Sequence, residues 1–197
     1  MVRVGTWNVR TMYQASVAAQ TARIMGEHSL DMMGISECRW TGYGETTLVS
    51  GEAVIYSGRE DGLHQQGVAI LMSRKTRKSL IDWKPINERM MVARFQGKCT
   101  NLSVIQCYAP TDDASDGEKD EFYDRLQDVK RLCSRHDILM IMGDLNAKVG
   151  SNNENLTAVM GKHGVGVRNE SGEMLTNFCN ANGMVIGGDY LSSQGNS

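Results

Sequence analysis

Short apolar runs, each bounded by Gly, Asn, Asp or Ser, recur along this chain: RVGTWNV, DMMGISE, TTLVSGEAVIYSG, QGVAILMS, ERMMVARFQG, NLSVIQCYAP and ILMIMGD. Runs of this length with turn-forming residues at their ends read as strands. Ile138–Met142 is the plainest of them, a continuous apolar stretch of the kind expected in a strand covered on both faces, and Gly143 punctuates it. Two helical segments interrupt the strands. One covers residues 17 to 28; the other covers residues 118 to 135, where Phe122, Leu126, Val129 and Cys133 repeat at three-to-four spacing. Ser115 and Glu118 form a capping-box pattern before the second helix, with Asp116 as a competing cap. A third helix is expected from near Ser171 to Gly183, a natural left-handed C-cap, and one short strand, MVIGG, after it. Strand runs with helices between them predict an α/β fold, a two-sheet α/β sandwich with the helices outside.

At 197 residues with 41% hydrophobic content, the chain can bury a sizeable core, and one domain over residues 1–188 with a divergent tail at 189–197 is the expected organisation. A formal net charge of −2 excludes a globally basic nucleic-acid binder and leaves room for a local basic groove. The five cysteines are odd in number and contain no C-x-x-C pair, so neither a disulfide framework nor a zinc site is suggested, and a reduced intracellular compartment, nuclear or cytoplasmic, fits. The N-terminus enters a strand pattern at once, and no apolar stretch approaches the roughly 20 residues of a bilayer span, so a soluble chain with no membrane partner is expected. Thirteen methionines read as fillers of core gaps. The stretch at 150–170 lacks a Walker lysine, so a mobile surface loop is expected there in preference to a phosphate cradle. Oligomeric state is not legible.

Several strands end on polar side chains. TWN delivers Asn8, GISE delivers Glu37, QCY delivers Tyr108, and GDLN delivers Asp144 and Asn146, which strand alternation would send to one side while Leu145 returns to the other. Each alone has a plain structural explanation: an Asx turn, a cap, a solvated strand end, a packed ring. Together they supply hard oxygen ligands for Mg²⁺, and donors and a carboxylate for a water nucleophile, as phosphate-ester hydrolysis requires. Rigid strands holding such groups at one rim are a sound way to build a site.

At these residues the chain resembles the endonuclease/exonuclease/phosphatase superfamily, whose motifs are similar to TWN, SE, YAP and GDLN in the same order. It is more similar still to the apurinic-type endonuclease of non-LTR, RTE-like retrotransposons. TWNVRTM, GISECRWTGYGE, GVAILMSRK, NERMMVARF, YAPTDD, DEFYDRLQDV, GDLNAKVG and RNESGEMLTNFC carry that likeness over residues 2 to about 188. The resemblance implies a DNase I-like sandwich and a Mg²⁺-dependent phosphodiesterase, with Mn²⁺ as a substitute ion, that nicks the phosphodiester backbone of DNA. It implies that Glu37 binds the metal, that Asn8 supports metal and phosphate, and that Asp144 orients or deprotonates the attacking water with Asn146 beside it. Tyr108 would contact the scissile phosphate. None of the four histidines, His28, His64, His136 and His163, matches a family catalytic position. The family pattern continues past MVIGG to a strand bearing a catalytic Asp and then a terminal Asp-His pair, whereas this chain reads DYLSSQGNS. A C-terminally truncated, impaired enzyme is therefore expected. The alternatives are a non-enzymatic remnant that binds nucleic acid or a protein partner, and a phosphatase of the same superfamily.

Overall fold

The structure, a computed structural model, describes residues 2–187; the expected tail at 189–197 lies outside them. The chain forms two compact units, one of Met1–Ala109 with Arg125–Asp144 and one of Pro110–Asp124 with Leu145–Ser197.

The first unit contains nine strands in two sheets. β1 (Val4–Asn8), β2 (Met32–Ser36), β3 (Tyr43–Thr47), β4 (Ala53–Ser57) and β5 (Val68–Met72) assemble in the order β1-β2-β5-β4-β3. β6 (Leu80–Asn87), β7 (Met90–Phe95), β8 (Leu102–Tyr108) and β9 (Ile138–Asp144) follow in the order β6-β7-β8-β9. Helices α1 (Ala15–Glu27), α2 (Arg74–Arg77), α3 (Asp116–Leu132) and α4 (Glu170–Asn182) complete the described elements. The sheets pack face to face as an α/β sandwich, with Ile55, Val68, Ile70 and Met72 of one meeting Met91, Ala93, Val104 and Met142 of the other. The opposite face of the first sheet receives α1, whose Ala18, Ala22 and Met25 cover Met33, Ile35 and Leu71. β2 and β5 are thus buried on both faces, which is why their sequences show no alternation. Burying each large apolar side chain here contributes about 1.5–3 kcal/mol, so these two strands anchor the layer.

β9 departs from the expectation of a doubly covered strand. It is the edge of its sheet as described, Ile138 is 59% exposed, and among its apolar residues only Met142 is buried. Its apolar run reports strand character and not depth. β6 has no counterpart among the sequence-based strands because LIDWKPIN is half polar and contains Pro85, which cannot donate to a ladder; at a sheet edge that proline is tolerated. β3 likewise begins earlier than the sequence suggests, at Tyr43, and is an exposed edge strand.

In the second unit the capping box forms: the Glu118 carboxylate accepts from Ser115 N at 3.1 Å and from Ser115 Oγ at 2.8 Å, and Glu118 N donates to Ser115 Oγ at 3.4 Å. Ser115→Ala is expected to cost about 1 kcal/mol, read as a lowered urea midpoint. α4 opens one residue earlier than expected, on an Asn169 cap that accepts from Gly172 N at 2.9 Å, and ends at Gly183 with φ 62°. Residues 145–169 form neither helix nor strand, yet they are not loose: Val159 and Met160 are buried, and Arg168 Nε donates to Val149 O at 3.0 Å. The described part of MVIGG is not a strand; Ile186 N donates to Val159 O at 2.8 Å instead.

Candidate active site

Two parallel strand pairs place the site. β1 and β2 run parallel, joined through α1, with Asn8 opposite Ser36; β8 and β9 run parallel, joined through α3, with Tyr108 opposite Asp144. A helical crossover brings the chain back to start a parallel strand from the same end, so both strands of a pair finish at one rim. With the two sheets stacked, four carboxyl ends converge.

Their side chains close a single network. Asn8 Nδ2 donates to Glu37 Oε1 at 2.9 Å and to Asp144 Oδ2 at 2.9 Å, standing between the two carboxylates. Tyr108 OH donates to Glu37 Oε1 at 3.0 Å, and Arg39 Nη2 donates to Glu37 Oε2 at 3.2 Å. Asn8 Oδ1 accepts from Arg10 N at 3.0 Å, which fixes the amide so that its nitrogen, and not its oxygen, points at the carboxylates. Arg89 lies over the Tyr108 ring, 5.3 Å from its centre, and Nη1 donates to Tyr108 O at 3.2 Å. The structure therefore brings Asn8, Glu37, Tyr108 and Asp144 together. The strand ends at Asp144, and Asn146, two residues on, is left-handed at φ 48°.

Burial raises the Glu37 pKa, but the hydrogen bonds from Asn8, Tyr108 and Arg39 and the Arg39 charge outweigh it and hold the carboxyl below its usual 4.5. Burial, and then the Glu37 carboxylate, push Tyr108 up to about 12, so it is a standing O–H donor at neutral pH and not a base. Burial likewise pushes the Cys38 and Cys107 thiols to about 12, which removes both as thiolate nucleophiles. Glu37's pKa is lower folded than unfolded, so its ionised form stabilises the fold above about pH 4.5, and that contribution is lost as pH falls through the lowered value. Thermal melts over an acid pH series are expected to show a shallower decline for Glu37→Gln than for the native chain.

The donor set suits a hard cation. Two carboxylates share one bridging amide, and among the described residues no group of three or more His, Cys, Asp or Glu side chains gathers to hold an ion. Mg²⁺ is commonly held by one or two carboxylates while keeping several waters, and Glu37 and Asp144 would supply such carboxylates.

Three supports were not singled out from sequence. Ser36 and Gln106 tie the sheets at the rim: Ser36 Oγ accepts from Asp144 N at 3.2 Å, and the fully buried Gln106 donates from Nε2 to Ile35 O at 3.1 Å. Gly34 makes room for Gln106, since a Cβ there would lie 2.0 Å from Gln106 Oε1. A glutamine inside the apolar run SVIQCY was the available signal. Arg39, the third, lies in an irregular segment after β2 in which Glu37 (φ 57°) and Arg39 (φ 56°) are both left-handed, a costly backbone of the kind that gathers at functional sites.

The fold defines the class: the chain has the DNase I-like fold of the endonuclease/exonuclease/phosphatase superfamily. The endonuclease domain of TRAS1, a telomere-specific non-LTR retrotransposon, superposes with a TM-score of 0.59 at 15% identity, covering 92% of this chain and 70% of that one. An AP endonuclease from Archaeoglobus fulgidus gives 0.61 at 16%, covering 92% and 71%. By sequence, the chain is similar to craniofacial development protein 2. The Bos taurus protein is 41% identical over 183 residues, 93% of this chain and 30% of that protein; the Tragulus javanicus protein is 40% identical over 183 residues, 93% and 31%. The chain thus spans about 30% of the length of these curated relatives. No protein-family model matches it. No helix among the described residues is long and apolar enough to cross a membrane.

Proposed function

We propose that this chain is a Mg²⁺-dependent phosphodiesterase that nicks DNA by attack of water on the backbone. The observation that carries the reading is the hydrogen-bonded convergence of Asn8, Glu37, Tyr108 and Asp144 from two parallel strand pairs. Glu37 would hold the ion, and Asn8, bonded to both carboxylates, keeps Glu37 and Asp144 in register. A bound Mg²⁺, or Mn²⁺ in its place, supplies positive charge against the phosphate oxygens. Asp144 accepts the proton of the attacking water. Tyr108, protonated across the working pH range, donates its O–H to a phosphate oxygen as negative charge builds there. Arg39, half-exposed beside Glu37, supplies a cation for the DNA backbone.

Relaxation of supercoiled plasmid tests the reading. Nicking is expected in Mg²⁺ or Mn²⁺ and none in EDTA. Plasmid binding without nicking would leave a nucleic-acid-binding remnant, and phosphate release from nucleotides without nicking would move the substrate class.

A further inference from the structure

Among the exposed rings that the chemistry above leaves unused, Tyr13 and His64 touch each other. Tyr13 is 66% exposed, and its ring meets that of His64 edge to face with centroids 4.6 Å apart. Exposed aromatic side chains are ordinary when they hang from slack loops; these are held. Tyr13 follows the buried Met12, whose N donates to Cys38 O at 2.9 Å and whose O accepts from Trp40 Nε1 at 2.8 Å. His64 Nδ1 lies 2.9 Å from Arg39 O, and because a carbonyl only accepts, that nitrogen carries the proton. The loop that bears His64 is fastened as well: Asp61 Oδ1 accepts from Leu63 N at 3.1 Å, Arg39 N donates to Gln66 O at 2.9 Å, and Cys38 N donates to Gly67 O at 3.0 Å. The backbone next to Tyr13 and the His64 ring are therefore both tied to residues 38–40, the segment directly after Glu37. Arg39 joins the two features, since its side chain bonds Glu37 while its carbonyl holds His64.

We infer that Tyr13 and His64 form a stacking site for a nucleobase of the strand being cut, beside the scissile phosphate; this rests on the phosphodiesterase reading above. Rings held in advance lose little freedom when a flat base lies on them, and the neighbouring Arg10 and Arg39 supply cations for the sugar-phosphate backbone. Aromatic faces beside backbone-tracking cations are the arrangement that captures unpaired nucleotides. A base inside an intact duplex has both faces covered by its neighbours and cannot reach the rings. The site therefore selects DNA with an unpaired base next to the point of cleavage.

The test is fluorescence anisotropy in EDTA, where metal-assisted cutting does not occur, with two fluorescein-labelled duplexes: one fully paired and one carrying a single unpaired base. The full chain is expected to bind the second more tightly. Tyr13→Ala and His64→Ala should each weaken binding of that duplex about 5- to 100-fold without changing affinity for the paired duplex. Tyr13→Phe should retain the preference, and the salt dependence should be unaltered because no phosphate contact is lost. Equal thermal midpoints establish that the variants fold, and two independent positions guard against one failing to. If the alanine variants weaken both duplexes alike, or neither, the stacking site is overturned while DNA binding at the rim stands. If the native chain binds neither duplex, the phosphodiesterase reading falls and the stacking site falls with it.

Discussion

Glu37→Gln and Asp144→Asn are each expected to lower Mg²⁺-dependent plasmid nicking by about 10²- to 10⁴-fold, and they should differ in how they respond to metal. Glutamine keeps an oxygen where the carboxylate stood and loses the charge, so the Glu37 defect is mainly one of ion affinity and should shrink as Mg²⁺ is raised. Asparagine at 144 cannot accept the water's proton at any ion concentration, so that defect should persist. The double variant should be scarcely worse than the weaker single, because the two carboxylates share Asn8 and act as one unit. Equal rescue of both by metal would remove Asp144 from its role at the water. Full activity in both would remove the site altogether.

Gly143→Ala is expected to destabilise the chain by about 2–4 kcal/mol and to abolish nicking, although the residue has no chemistry of its own. Its φ is 133°, a region that side-chain-bearing residues avoid, and a Cβ there would lie 1.9 Å from Cys107 O in the neighbouring strand. Relief requires β9 to slide against β8, and the register that pairs Cys107 with Gly143 also pairs Tyr108 with Asp144. The site would therefore be lost with the ladder. Gly26→Ala provides the contrast, since nothing lies within 4 Å of its Cβ position on α1; there the substitution should stabilise by about 0.5–1 kcal/mol. Urea denaturation reads both effects. A Gly143→Ala chain as stable as the native one would mean that the rim tolerates a shifted β9.

Most strands, the main helices and the capping box at Ser115 were legible because they depend on near neighbours: apolar runs of strand length, three-to-four periodicity, a serine three residues before a glutamate. β6 was not, because its place at an edge, where Pro85 and polar side chains are harmless, is a property of the assembled sheet. The depth of β9 was misjudged for the same reason. An apolar run states that a segment avoids water, and only the neighbouring strands decide how far it succeeds.

The candidate residues divide along the same line. Asn8, Glu37, Tyr108 and Asp144 announced themselves as polar groups directly after apolar runs, a pattern local to each motif. Their convergence was not local: Asn8 and Asp144 are separated by 136 positions and meet at 2.9 Å. Gln106 and Ser36, which tie the two sheets beneath them, and Arg39, which faces Glu37, carried no strong signal of their own. The sequence by itself determined which segments become strands and which polar side chains leave their ends, because side-chain size and alternation act over a few residues. The tertiary structure alone decided that two parallel pairs end at one rim and that Asn8 presents nitrogen to both carboxylates. Each of those follows from helical crossovers, strand register and hydrogen-bond partners brought together only when the two sheets close on their shared core.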